Sequence, residues 1–234
     1  MTDVAFVCAM PMEARPLARR LSLARGAVAG LPGYRGSLGG RSVVAVVTGM
    51  GPRLAAAGVE RLLAEAAPAR VVVVGIAGAL DNATAIGALV VPEVVVDGVT
   101  GAEHRPAPLP GLPGRGTMRT DAALLTDRRV IADLARQGVL ALEMETAAVA
   151  AACEAHGTPW SVVRAISDRP SDEIDEEVFA MGRADGTPDV RAVIRYVLRH
   201  PARVPKLARM GRDATRAAAA AADAAARAVC ATAS

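Results

Sequence analysis

Val139-Leu140-Ala141-Leu142-Glu143-Met144-Glu145-Thr146 opens the stretch that decides the fold. It continues through Ala147 to His156 and closes on Trp160-Ser161-Val162-Val163-Arg164-Ala165-Ile166-Ser167-Asp168. The apolar spacing reads as a buried strand, a helix starting at Glu145 and a second buried strand. Near-continuous apolar strands alternating with helices predict a mixed or parallel sheet covered on both faces. Glu145 and Asp168 each stand where a strand ends, which is where open α/β sheets keep their binding and catalytic groups. A carboxylate there accepts hydroxyl hydrogens and, in a partly dry site, holds a proton. The pair points to an enzyme acting on a small molecule.

The same alternation runs outward in both directions. Val4 to Cys8 predicts a first buried strand, and Ala9-Met10-Pro11-Met12-Glu13 turns into a helix to about Leu21. Pro11 suits the start of that helix. Tyr34 to Leu38 predicts an edge strand and Ser42 to Val47 a central one. The glycine turn Gly49-Met50-Gly51-Pro52 leads into a helix to about Ala66. Arg70 to Val74 predicts another strand, ending in Gly75-Ile76-Ala77-Gly78. Such turns let backbone amides approach a ligand closely, and neither matches a dinucleotide fingerprint or a P-loop. Ala88 to Val96 predicts a strand interrupted by Pro92, Asp97 to Gly116 an irregular loop, and Ala122 to Gln137 a helix. Arg169 to Pro188 reads as a loop that covers the site, followed by a helix from Pro188 to His200. Residues 1–200 are expected to form the catalytic domain, with 201–234 as an Ala/Arg-rich helical tail of the same domain. Alanine, the best helix former, makes that tail a helix.

Composition narrows the function. The 234 residues are 52% hydrophobic yet only 2% aromatic, so the core is built from Ala, Val, Leu and Ile. With 27 basic and 24 acidic residues and scattered arginines, the chain is not expected to bind nucleic acid, for which stacking aromatics are lacking. Three distant cysteines, Cys8, Cys153 and Cys230, indicate neither a disulfide framework nor a zinc site. Cys8 and Cys153 are expected to be buried small hydrophobes. His104, His156 and His200 are isolated, so no metal is expected. No signal-type segment and no uncharged run of transmembrane length is present. The expectation is a cytoplasmic protein without stable membrane insertion.

Glu143-Met144-Glu145 followed by Arg164-Ala165-Ile166-Ser167-Asp168 resembles the paired motif of the purine nucleoside phosphorylase/uridine phosphorylase superfamily. The similarity is closest to the 5′-methylthioadenosine/S-adenosylhomocysteine nucleosidases and their hopanoid-associated relatives, and runs from Val4 to about Tyr196. It implies a three-layer α/β/α sandwich around a central mixed, mostly parallel sheet. It also implies a nucleosidase that releases the free base from a purine nucleoside, a 5′-modified adenosine of the methylthioadenosine, adenosylhomocysteine or adenosylhopane type. Water would be the nucleophile and no cofactor is implied. A homodimer or higher homo-oligomer is expected, as is common in the family.

In that reading Asp168 protonates the leaving purine at N7, oriented by Ser167. The bland alternative is a turn or N-cap aspartate. Glu145 takes the ribose 2′- and 3′-hydroxyls, against an ordinary first-turn glutamate facing the helix dipole. Met144 lies against the sugar or base, or fills the core. Glu143 is expected to point to the other face of its strand and to be structural. Glu13 activates the water, and Met50, Gly51, Ile76, Ala77 and Gly78 line the substrate. Ile76 stands where the nucleosidases carry a serine, and the segment Thr120 to Leu124 lacks their stacking aromatic. Trp160 or Phe179 is the candidate replacement. A carboxylate at position 13 repels phosphate, which favours hydrolysis. Arg15, Arg53 and Arg119 keep a phosphate-dependent phosphorylase as the alternative. A non-catalytic nucleoside-binding protein on the same fold is the further one.

Overall fold

The computed structural model describes residues 2–172, 181, 183, 187 and 189–231. At its centre four strands run parallel. β1 (Val4–Cys8) lies between β4 (Arg41–Val47) and β5 (Arg70–Ala79), and β11 (Trp160–Asp168) pairs along the other side of β5. These strands are valine-rich and buried on both faces, so they read as continuous apolar runs.

Parity along each strand sorts the core into two layers, because successive side chains leave a strand on opposite sides. Ala5, Val7, Val44, Val46, Val71 and Val73 face one layer, closed by α2 (Pro52–Ala66) and α4 (Thr146–Ala155). Phe6, Val43, Ala45, Val47, Val72 and Val74 face the other. That layer is closed by α1 (Pro11–Arg20) and α6 (Val204–Ala231), whose Ala217, Ala221, Ala224, Ala225 and Ala228 are buried. With alanine methyl groups along all of the inner stripe but Val229, the 28-residue helix can lie close to the sheet. The expected tail is therefore one of the covering layers. A mixed sheet with parallel strands flanked by helices is the fold that the alternation predicted.

The edges differ from the expectation. The predicted strand at Tyr34 is β3 (Leu31–Leu38), and it forms a hairpin with an unpredicted β2 (Ala24–Val28). Ala29 and Gly30 between them have φ of 49° and 67°, the doubly positive pattern of a type I′ turn. Alanine at the first of those positions hides the turn from a sequence reading. The single strand predicted over Ala88 to Val96 is two short ones. β6 (Leu89–Val90) pairs with β11, and β7 (Val94–Asp97) pairs with β9 (Thr117–Thr120). Pro92 falls between them, where a ladder donor would be missing. The irregular loop after Asp97 contains β8 (Glu103–His104), returned onto β7 by a turn whose amides at Val99 and Thr100 donate to Asp97 Oδ1. The helix predicted from Ala122 is α3 (Arg128–Arg136), because Asp127 caps it by accepting from Arg129 N and Val130 N. α5 (Val190–Arg199) follows Asp189 in the same way. Most of the predicted covering loop, including Phe179, lies outside the described residues.

Cys8 and Cys153 are buried in apolar surroundings. Burial pushes the Cys8 thiol well up and the Cys153 thiol up to about 12, so both behave as small hydrophobes. No helix among the described residues is long and apolar enough to cross a membrane.

Candidate active site

The C-terminal ends of β1, β5 and β11 meet the end of β10 (Val139–Glu143), which pairs antiparallel with β5 at Gly78 and Ala79. A cavity of about 670 Å³ opens at this junction. Its floor is organised by one arginine. Arg164, 1% exposed, projects from the middle of β11. Its Nη2 donates to Glu143 Oε2 and, at 2.9 Å, to Thr146 Oγ1. The same nitrogen lies 3.6 Å from Glu145 Oε2, and Nη1 lies 3.8 Å from Glu13 Oε1. Burial of a lone guanidinium would favour the neutral form, but these carboxylates outweigh it and hold Arg164 charged. Arg164 Nε has no hydrogen-bond partner among the described residues.

Each glutamate is tied independently. Glu13 sits in the first turn of α1. Its Oε2 accepts from Met10 N at 2.9 Å, reaching back to the residue before the helix, and its Oε1 accepts from Ile76 N at 2.9 Å. Replacement of a serine by Ile76 thus leaves the backbone amide that holds Glu13. Burial raises the Glu13 pKa, opposed by Arg164 and the amides. Glu145 Oε1 accepts from Gly51 N at 2.8 Å. Gly51 has φ of 88°, a conformation that glycine adopts without strain. Burial, then the charge of Glu143, pushes the Glu145 pKa up to about 7.

Glu143 corrects the sequence reading. It does not lie on the opposite face from Glu145: the strand ends at Glu143, Glu145 opens the following helix, and both carboxyl groups face Arg164 Nη2. Its oxygens accept from Glu145 N at 3.0 Å, Thr146 N at 2.9 Å and Thr120 Oγ1, besides Arg164. It closes the start of α4 and anchors the arginine, so it borders the cavity while serving the architecture. Gly75 is required below it. A Cβ there would stand 2.3 Å from both Arg164 Nη1 and Glu13 Oε1.

Asp168 stands apart from this floor. The β11 ladder shifts register between Ile166 and Asp168, a bulge that re-aims the last two side chains. Ser167 Oγ lies 2.5 Å from Asp168 Oδ1 and 3.3 Å from Ala77 O. Burial raises the Asp168 pKa and the nearby Asp172 raises it further, against the Ser167 bond. The capping alternative for Asp168 is taken over by Asp172, whose Oδ2 accepts from Arg169 N at 2.9 Å. A Cβ on Gly78 would lie 3.0 Å from Asp168 Oδ2, so the glycine gives the carboxyl its room.

Met50, Met144, Ile76, Ala77, Gly78 and Ser167 all border the cavity with Glu13, Glu145 and Asp168. Gly51 is not in the wall; it stands behind Glu145 and positions it. Arg15 and Arg53 are exposed and away from the cavity. Arg119 is held by Asp121 and by Gly98 O. Trp160 lies at the far end of β11, its Nε1 donating to Glu154 Oε1 at 3.2 Å, and does not reach the cavity. Among the described residues no aromatic side chain lines it. Leu124, Leu125, Ile131 and Leu142 form one side, and Leu207, Met210 and Ala214 of α6 another. The role of Arg164 as hub was not read from the sequence, where an arginine inside an apolar strand was the available signal. His104 and His156 are separately paired with Glu154 and Glu60. No cluster of three metal-ligating side chains occurs among the described residues.

Known proteins resemble this chain in sequence and in fold. The sequence is 28% identical over 197 residues to the 5′-methylthioadenosine/S-adenosylhomocysteine nucleosidase of Bacillus cytotoxicus, covering 70% of this chain and 85% of that one. It is 29% identical over 173 residues to the enzyme of the same name from a Marinomonas strain, covering 60% and 74%. Among solved structures, the Neisseria meningitidis nucleosidase in complex with methylthio-immucillin-A superposes with a TM-score of 0.74 at 19% identity, covering 99% of this chain and 100% of that one. Helicobacter pylori futalosine hydrolase superposes at 0.70 and 15% identity, covering 95% and 94%. At those identities the structural likeness speaks to the fold. The model of the phosphorylase superfamily matches residues 3–127 and 116–199. The chain belongs to the phosphorylase superfamily.

Proposed function

We propose that this protein is an N-ribosyl hydrolase that releases the free base from a 5′-modified adenosine. The observation that carries the proposal is the division of labour among carboxyl groups in one cavity. Asp168, raised in pKa by burial and oriented by Ser167, retains a proton to give to purine N7 as the glycosidic bond breaks. Glu145 keeps Oε2 for the ribose hydroxyls while the Gly51 amide occupies Oε1. Bonds from those hydroxyls strengthen as the sugar becomes cationic, so they act in the transition state. Glu13, fixed by two amides, takes the proton of the attacking water. Met144 packs against the sugar. Catalysis needs no cofactor in this scheme.

Hydrolysis is favoured over phosphorolysis because the floor presents three carboxyl groups and the guanidinium beneath it is already committed to them; Arg128 and Arg169 also border the cavity, and Arg169 donates from Nε to Thr84 O. The apolar walls from Met12, Met50, Leu124, Leu207 and Met210 suit an apolar 5′ substituent, from methylthio to the larger hopanoid type. We assign the protein to the cytoplasm and to a homodimer, with residues 1–200 carrying the site and the C-terminal helix completing its wall.

The test is base release from adenosine, methylthioadenosine and adenosylhomocysteine, followed by chromatography with and without phosphate. Release independent of phosphate and lost in Asp168→Asn is expected. Release that requires phosphate would make the protein a phosphorylase; binding without release would leave it a nucleoside-binding protein.

A further inference from the structure

Residues 190–212 hold seven of the 27 basic residues of the chain and none of its 24 acidic ones. They form α5, a short 3-10 turn at Pro201–Arg203 and the first turns of α6. On α5 the spacing is repeated in steps of four. Arg191, Arg195 and Arg199 form one exposed row, and Ile194 and Leu198 form the adjacent row. Ile194 is 54% exposed and Leu198 76%, among the most exposed large apolar side chains of the protein. Val204, at the start of α6, is also exposed, at 38%. Tyr196, on the opposite side of α5, is buried and anchors the helix. Two turns further on, the same segment turns Leu207 and Met210 into the cavity wall.

Arg209 is paired with Asp172, and Asp189 and Asp213 flank the stretch, but the row Arg191, Arg195 and Arg199 beside Ile194 and Leu198 carries no acidic residue. Large apolar side chains standing between such arginines match the chemistry of an anionic bilayer surface. Arginines meet the headgroups while the aliphatic tips enter the acyl boundary. A second copy of the chain is a poor occupant, because two such faces repel. Nucleic acid fits poorly as well, since no aromatic side chain is exposed here for stacking. We propose that α5 and the start of α6 form a docking surface for an anionic lipid membrane, with the active-site cavity opening beside it. The docking itself does not depend on the reaction catalysed.

The test is co-sedimentation of the full chain with vesicles of phosphatidylcholine containing phosphatidylglycerol, and with vesicles of phosphatidylcholine alone. Binding is expected only to the anionic vesicles and should weaken as salt is raised. Arg195→Gln and Arg199→Gln should each lower partitioning by about fivefold. Ile194→Gln and Leu198→Gln should lower it comparably at unchanged charge, with melting curves confirming that every variant is folded. Absence of binding to anionic vesicles overturns the proposal. So does binding indifferent to Ile194 and Leu198, which would be charge attraction alone, or a change of oligomeric state in Leu198→Gln, which would make this face an interface between copies.

Discussion

The floor and the walls of the cavity are built on different principles. The floor joins Arg164, from the middle of β11, to Glu13, Glu143 and Glu145 at strand and helix ends, and several of the carboxyl oxygens accept from backbone amides. The apolar part of the walls includes Leu124, Leu125, Leu207 and Met210, from a loop and from the first turns of α6. A buried charge must be paired and hydrogen-bonded, so the floor admits one arrangement. An apolar contact is non-directional, so the walls can change shape at modest cost. In the proposed reading, ribose binding and water activation fall on the over-determined floor, and selection of the 5′ substituent falls on the adjustable walls.

The sharpest way to break that contrast is to remove the hub. Arg164→Met leaves buried carboxylates without their counter-charge and should cost about 3–5 kcal/mol in stability. Urea denaturation measures this, and a loss below about 1 kcal/mol would mean the floor is held by its amides alone. Asp168→Asn tests the chemistry without the scaffold. Its turnover should fall by about 10²–10⁴ with little change in the urea midpoint. The wall is probed by Leu124→Ala, which should raise KM roughly tenfold for nucleosides with apolar 5′ substituents and leave kcat nearly unchanged. A fall in kcat equal to the rise in KM would place Leu124 on the reacting centre.

The smallest effect is a pH signature of the floor. Glu145 has a pKa of about 7 in the folded protein against an ordinary 4.5. The folded state therefore holds this proton more firmly. The stability it contributes is complete below about pH 4.5 and is lost as the pH rises through 7. Glu145→Gln removes that titration, so the melting temperature of the variant should fall less between those limits, by about 2–4 °C for each kcal/mol removed. Parallel melting curves for parent and variant across the window would show that the proton sits elsewhere in the cluster.

Legibility followed the range of the forces involved. The central strands, α2, α4 and the C-terminal helix were visible as runs of Val and Ala, because burial of a whole element leaves its period in the sequence. The β2–β3 turn was hidden because Ala29 occupies a positive-φ position that its neighbours enforce. The shortened α3 followed from Asp127, a cap that competed with the helical propensity of the residues before it. Glu13, Glu145, Asp168 and most of their neighbours were named as site residues from strand ends and family motif, and all three carboxylates meet at one cavity. Trp160 was misplaced because its distance from the cavity depends on strand direction, which composition does not encode; Arg15 and Arg53 project to solvent from their helices, and Arg119 is held by Asp121.

The amino-acid sequence by itself determined the layered α/β architecture and marked Glu13, Glu145 and Asp168 as candidate site carboxylates, through local pattern and family motif. Only the tertiary structure decided how those carboxylates are held. Arg164 meets glutamates that are 19, 21 and 151 positions away in the chain. Such a hub exists because a sheet brings distant strand ends within hydrogen-bonding distance, and because a charge buried there must find partners wherever the fold supplies them.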